Sequence, residues 1–233
     1  MNKCPGIAVT ALKAVDTEAG SVLVQPDGKI LVAGSISVSG RRAFAVYRFN
    51  ADGTPDSSFG TNGASAAAFA NDSLVYAIAL QPDGRIVAAG RATVDEREVF
   101  TIARFTSAGA LDATFSGDGK YTQEMGDDSA TAKAVAVAAD GSIFVAGDVS
   151  VGGQSGWGLL RLTSTGVPVT GFGTDGALVA SGAGEITAVG GLVLTTDGKL
   201  VVNVIDAGQD LHFMRRLAGD GALDPTFGTG GQA

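Results

Sequence analysis

The sequence predicts an all-β fold, a β-propeller of four four-stranded blades, and three observations carry that prediction. One phrase is written four times: a turn Asp recurs at Asp27, Asp83, Asp140 and Asp197, in steps of 56, 57 and 57 residues. An Arg recurs with it at Arg48, Arg104, Arg161 and Arg216, and a Phe at Phe59, Phe115, Phe172 and Phe227. Repeats of this order mean solenoids, propellers or arrays. Within a repeat the apolar runs are short, alternate, and stop at turn signals, with no helix-length amphipathic stretch. Gly makes up 35 of 233 residues without Pro enrichment, which fits many tight turns between short strands.

The second repeat shows the elements in order. YAIAL (76–80) alternates and ends in the turn Gln81-Pro82-Asp83-Gly84. Pro presets φ for the first corner and Gly accepts φ > 0 at the last. RIVAAG follows, then the polar stretch RATVDEREV, which reads as the connection between the two middle strands. FTIARF alternates again and ends in the turn TSAG, and after ALDATFSGDG the last strand, KYTQEM, begins. The runs ILVAG (30–34) and IVAAG (86–90) are apolar on both faces, as blades packed between neighbours require. Small Ala88, Ala89 and Ala146 allow those neighbours to approach.

The chain reads as one domain, 1–233, with repeats at about 14–70, 71–126, 127–183, and 184–233 plus 6–13. Gly63, Gly119, Gly176 and Gly231 mark one phase of the repeat, and Gly6 stands one period before Gly63. Strand IAVTAL (7–12) therefore matches the strand that follows this Gly elsewhere, and is expected to pair into the last blade and close the ring. Closure removes strand edges that would otherwise template aggregation. The same phase also permits closure in trans, a dimer whose two chains form one eight-bladed ring.

Net charge is −8. An acidic surface repels phosphate backbones, so nucleic acid is not an expected partner. Cys4 is the only cysteine, which excludes an intrachain disulfide. No apolar run reaches the length of a membrane span, and residues 1–15 lack the apolar core of a signal peptide, so the chain is expected either not to be exported or to have lost its leader.

The phrases LVQPDGKILVAGS, YRFNADGTPDSSFGTNG and ALQPDGRIVAAG resemble the bacterial delta-60 repeat, a β-propeller family, over about residues 6–231. The layout is also similar to the NHL-type propeller repeat. Departures fall in repeats two to four: Ser116 follows Phe115 where Gly is usual, Val169 replaces the Asp of Asp56, Asp112 and Asp224, and Val204 replaces the Gly of Gly34, Gly90 and Gly147. The resemblance implies an interaction module, secreted or at the cell surface, with enzymes a minority among such folds.

Candidate site residues lie on two loop sets expected to share one face. The first, entering each blade, holds Asp16 and Glu18, Asp72, Asp127 and Asp128, and Glu185. The second, joining the middle strands, holds Arg41 and Arg42; Asp95, Glu96, Arg97 and Glu98; Gln154 and Trp157; Asp206, Asp210 and His212. Variable loops on a rigid scaffold are where binding usually resides. The carboxylates read first as a solvated rim. They also suit Ca²⁺, which takes six to eight oxygen ligands, or an acid/base pair acting on sugars.

His212 is the only His, so a His-based metal cluster is excluded within one chain, and no other metal site or cofactor is expected beyond that Ca²⁺ option. His212 reads as a half-buried residue near the rim. Trp157, the only Trp, reads as core, or alternatively as a sugar-stacking platform. The four Arg suggest a ring of anion-binding groups, or ties from each strand to the Asp that follows; the second reading is the stronger. The leading function is a binding or scaffold module with a protein or glycan partner. The alternative is a hydrolase or lyase using rim carboxylates with His212 or Arg41 and Arg42.

Deleting residues 1–13 is expected to lower the melting temperature of the whole domain cooperatively. A truncated chain that melts like its parent would remove the case for closure by residues 7–12.

Overall fold

The computed structural model describes residues 18–181, 188–206 and 211–233. These form fifteen strands and no helix. The first sheet is β1 (Glu18–Val24), β2 (Ile30–Val38), β3 (Arg41–Phe49) and β4 (Ala64–Ala67). The second is β5 (Ser73–Leu80), β6 (Ile86–Val94), β7 (Arg97–Phe105) and β8 (Lys120–Gln123). In both, the strands lie in chain order and every neighbouring pair is antiparallel.

The third unit holds β9 (Ser129–Val137), β10 (Ile143–Val151), β11 (Gln154–Leu162) and β12 (Ala177–Ser181). Ladder hydrogen bonds join β10, β11 and β12. β9 lies beside β10 through a tight turn in which the Ala138 N–H donates to the Ser142 carbonyl at 2.8 Å. The fourth sheet is β13 (Ala188–Leu194), β14 (Leu200–Asp206) and β15 (Leu211–Leu217). Met214 and Ala233 exchange backbone hydrogen bonds at 2.8 and 3.1 Å, so the residues after Gly231 begin the strand that β4, β8 and β12 form elsewhere. The expected pairing of residues 7–12 lies outside the described residues.

Four antiparallel sheets without helices form a propeller-like arrangement. β5 packs over the first sheet, β9 over the second and β13 over the third. Each junction has its own apolar cluster. Leu31, Ala33, Phe44 and Val46 meet Ile78, Ile86, Ala88 and Phe105. Val87, Ala89, Phe100 and Ile102 meet Ala130, Ala132, Ile143 and Val145. Phe144, Ala146, Trp157 and Leu159 meet Val189, Leu200, Val202 and Val204. Ala88, Ala89 and Ala146 are all fully buried, and their small side chains admit the neighbouring sheet.

The middle strands correct one expectation. The polar stretch 91–99 is not a connection but the continuation of β6 and β7, which pair to the tip at Val94 and Arg97. Asp95 and Glu96 alone turn the chain, both at positive φ (47° and 67°). Two-residue turns of this hand match strand twist and let the ladder run to its end. Ser39-Gly40 and Gly152-Gly153 do the same in the first and third blades. Arg41, Arg42, Arg97, Glu98, Gln154, Trp157, Asp206 and His212 are accordingly strand residues rather than loop residues.

The recurring Gly has a steric cause. β5 bulges at Tyr76, where the register to β6 slips between Val75 and Ala77, and the bulge brings backbone onto the facing strand. A Cβ added at Gly90 would lie 2.0 Å from the Leu74 carbonyl oxygen, and one at Gly147 would lie 2.1 Å from that of Thr131. The fourth blade carries Val204 at this position and instead has Gly190 and Gly191 across from it at its bulge, so space is conceded by the other strand.

Gly90→Ala is expected to destabilise the domain by about 3 kcal/mol, because the obstacle is backbone and cannot rotate away. Urea denaturation measures this.

Candidate functional site

The four Arg lie near the ends of the third strands, and Arg48, Arg104 and Arg161 stand at junctions between blades. Arg48 donates from Nε to Asp56 at 2.8 Å and from its terminal nitrogen to the Ser107 carbonyl of the next blade at 2.5 Å. Arg104 forms an ion pair with Asp112 at 2.9 Å and donates from its terminal nitrogen to the Ser164 carbonyl. Arg161, whose blade has Val169 instead of Asp, keeps the second bond, to Gly219 at 2.8 Å. Arg216 binds Asp224 at 2.8 Å and Thr226 at 3.0 Å. Arg48, Arg104 and Arg216 also lie over the rings of Phe59, Phe115 and Phe227 at 4.5, 4.9 and 4.7 Å. Guanidinium on an aromatic face adds roughly 0.5–2 kcal/mol, more when water is excluded.

Each Asp serves a second cation. Lys29 reaches Asp56 at 2.9 Å, Arg85 reaches Asp112 at 2.8 Å, and Lys199 reaches Asp224 at 2.8 Å. In the third repeat Ser142 stands in place of that cation and Val169 in place of the Asp, so both halves of the ion pair are lost together. This was readable from the sequence: the residue after each Asp-Gly turn is basic only where the Asp is present. The Ser58 hydroxyl and Lys29 hold the Asp56 carboxyl well below its usual range. Lys199 and the Thr226 hydroxyl do so for Asp224. At Asp112 burial pushes upward, but the Thr114 hydroxyl and amide and the two Arg charges prevail and lower it.

The candidate rim residues separate into groups. Asp127 accepts the Gly152 N–H at 2.8 Å, and Asp128 accepts that of Gly153 at 2.6 Å, pinning the β10–β11 turn. Trp157 is buried in the cluster between the third and fourth blades, with Arg215 over its ring at 5.7 Å, so its indole presents no open face to a sugar. His212 is exposed on β15, opposite Ile205. Glu185 lies outside the described residues, as do Asp16 and Asp210. Among the described residues, no three His, Cys, Asp or Glu side chains stand close enough to hold a metal ion.

Arg42 and Asp72 come together. A cleft of about 350 Å³ between the first and second blades is lined by Arg42, Asp72, Leu74, Arg91, Thr93 and Glu98. Asp72 accepts the Arg42 N–H at 2.8 Å, and Arg41 caps the adjacent Ala70 carbonyl. The Ser73 hydroxyl donates to the Arg42 carbonyl at 3.2 Å. Arg91 pairs with Glu98 across the β6–β7 ladder. Two guanidinium groups and two carboxylates thus line one cleft, Arg42, Arg91 and Glu98 set on paired strands and Asp72 in the connection just before β5. Arg91 was not apparent from sequence, because nothing marks which face of a polar stretch the ladder will present.

Further along the same ends of the strands, Lys133 lies over the Tyr76 ring at 4.6 Å and 4.0 Å from Asp148, which accepts the Val189 N–H at 2.7 Å. Burial pushes the Asp148 carboxyl up.

Residues 25–59, 81–115 and 138–172 match the family model described as a domain of unknown function (DUF5122) beta-propeller. Each match runs from the turn before the second strand to the recurring Phe, Phe59, Phe115 or Phe172. No curated protein matches the chain. The chain is therefore similar to a β-propeller repeat family in three of its repeats.

The depressed carboxyls set an acid limit on stability. A carboxyl held low in the folded state contributes fully above the unfolded value, near 4, and its contribution is lost as pH falls through the folded value. Asp56→Asn, Asp112→Asn and Asp224→Asn together are expected to lower stability at neutral pH and to flatten its fall below about pH 4. Denaturant melts across a pH series read both effects.

Proposed function

We propose that the chain is a binding or scaffold module whose contact face is formed by the β2–β3 and β6–β7 hairpin ends and the Arg42–Asp72–Arg91–Glu98 cleft between them. The cleft carries this reading. It is the place where candidate residues of both charge signs converge, three of the four charged groups on paired strands. Its two cations and two carboxylates balance, so it suits a partner that offers both donors and acceptors rather than a polyanion. A protein loop or a glycan does so. The β-propeller family similarity agrees with a binding role and names no ligand. The carboxylates do their visible work in holding turns and neighbouring strands, as Asp72 does at Arg42 and Asp127 at Gly152. By family resemblance, the setting is a secreted or surface assembly.

The test is a glycan array and a charged-peptide array probed with wild-type protein, Arg91→Ala/Glu98→Ala, and Asp118→Ala as a remote surface control. Saturable binders are expected whose affinity falls about tenfold or more, roughly 1.4 kcal/mol, in the cleft variant alone, at unchanged melting temperature. Binders indifferent to the cleft variant, or none in either array, would overturn the assignment.

A further inference from the structure

Among the described residues the same blade-to-blade junction is built three times, and one half of it stands uncovered at each end of the series. At the trailing side of each junction stand two residues of the first strand: Ile78 and Leu80, then Val135 and Val137, then Leu192 and Leu194, all packed on the preceding sheet. Their counterparts in the first blade, Val22 and Val24, are each 67% exposed. On the leading side, Val46, Ile102 and Leu159 are fully buried, whereas their counterpart Met214 is 44% exposed. Val193, at the position where Leu23 packs into the first junction, is 62% exposed. Phe59, Phe115 and Phe172 are fully buried beneath the next blade's turn, and Phe227 is not. Arg48, Arg104 and Arg161 each donate to a carbonyl of the following blade; Arg216 keeps its bonds within its own blade.

Three junctions carry the first sheet to the fourth without bringing their outer faces together among the described residues. We propose that these faces meet between two copies of this chain, the fourth blade of each against the first blade of the other. Both halves are the halves of an interface the sequence already makes, so their shapes match by repetition. Two copies joined twice close a ring of eight sheets, within the size range of propellers, whereas three copies would exceed it. A head-to-tail contact of this kind closes or forms filaments depending only on its rotation. In the assembled ring Val22 and Val24 cover Met214 and Val193, and Arg216 gains the carbonyl of Ala51 in the partner's turn, the position equivalent to Ser107. Asn203 and His212 stand where Ala33 and Phe44 stand in the first junction, which gives this junction the polarity of an interface between chains.

The experiment is sedimentation equilibrium of the full chain over a concentration series, with Val24→Glu, Met214→Glu and their equimolar mixture, and circular dichroism to verify folding. Wild type is expected at twice the 23.2 kDa of one chain. Each variant, folded, is expected to weaken dimerisation at least ~100-fold, since a carboxylate would be buried without a partner. The mixture is expected to dimerise more tightly than either variant alone, because one of its two junctions keeps both native faces. A wild-type monomer overturns the proposal, and if both variants then melt lower, the faces meet within one chain. A dimer indifferent to both variants, or an open-ended series of masses, overturns it equally.

Discussion

A four-stranded sheet that is apolar on both faces cannot stand alone in water, and every other feature of this chain follows from covering those faces. A half-exposed antiparallel sheet alternates polar and apolar residues. Ile86, Val87, Ala88 and Ala89 do not alternate, and all four are buried because a neighbouring sheet lies on each side. The junction needs small residues where the sheets approach and large ones where they diverge. Ala88, Ala89 and Ala146 supply the first; Phe44, Phe100 and Trp157 supply the second.

The Arg at the end of each third strand fixes the angle at which successive blades meet. In the first, second and fourth blades its guanidinium is held by an Asp and by the ring of the recurring Phe, and in the first three its free end reaches a carbonyl of the next blade's turn. A lysine could not do this, since the geometry needs donors pointing in two directions from one planar group. The third blade shows what is dispensable. With Val169 and Ser142 it drops the ion pair but keeps the bond to Gly219, and Arg161 stacks on Phe144 at 5.1 Å instead.

The candidate site borrows its rigidity from the same design. Because two-residue turns let the ladders run to their tips, charged side chains at 42, 91 and 98 project from paired strands. Their positions are set by register, and the cleft between the first and second blades is a by-product of the angle at which those blades pack. Asp72 is placed by the chain's entry to the second blade, and its bond to Arg42 stitches the two blades at their rim.

Repeat length, turn positions and the Arg–Asp ties were determined by the sequence alone, because each rests on local chemistry: a Pro-Asp-Gly corner, a period of two, an Asp eight residues after an Arg at Arg48, Arg104 and Arg216. Even the second cation was legible, through its joint loss with the Asp in the third repeat. Tertiary structure alone decided the rest. That the polar stretch 91–99 is hairpin, not loop, depends on two residues adopting positive φ, which composition does not announce for Asp95-Glu96. That Leu159 is buried while its counterpart Met214 is exposed depends on which blades have a neighbour. Identical positions in a repeat carry identical local signals, and only the blade beyond them determines whether a side chain becomes core or surface.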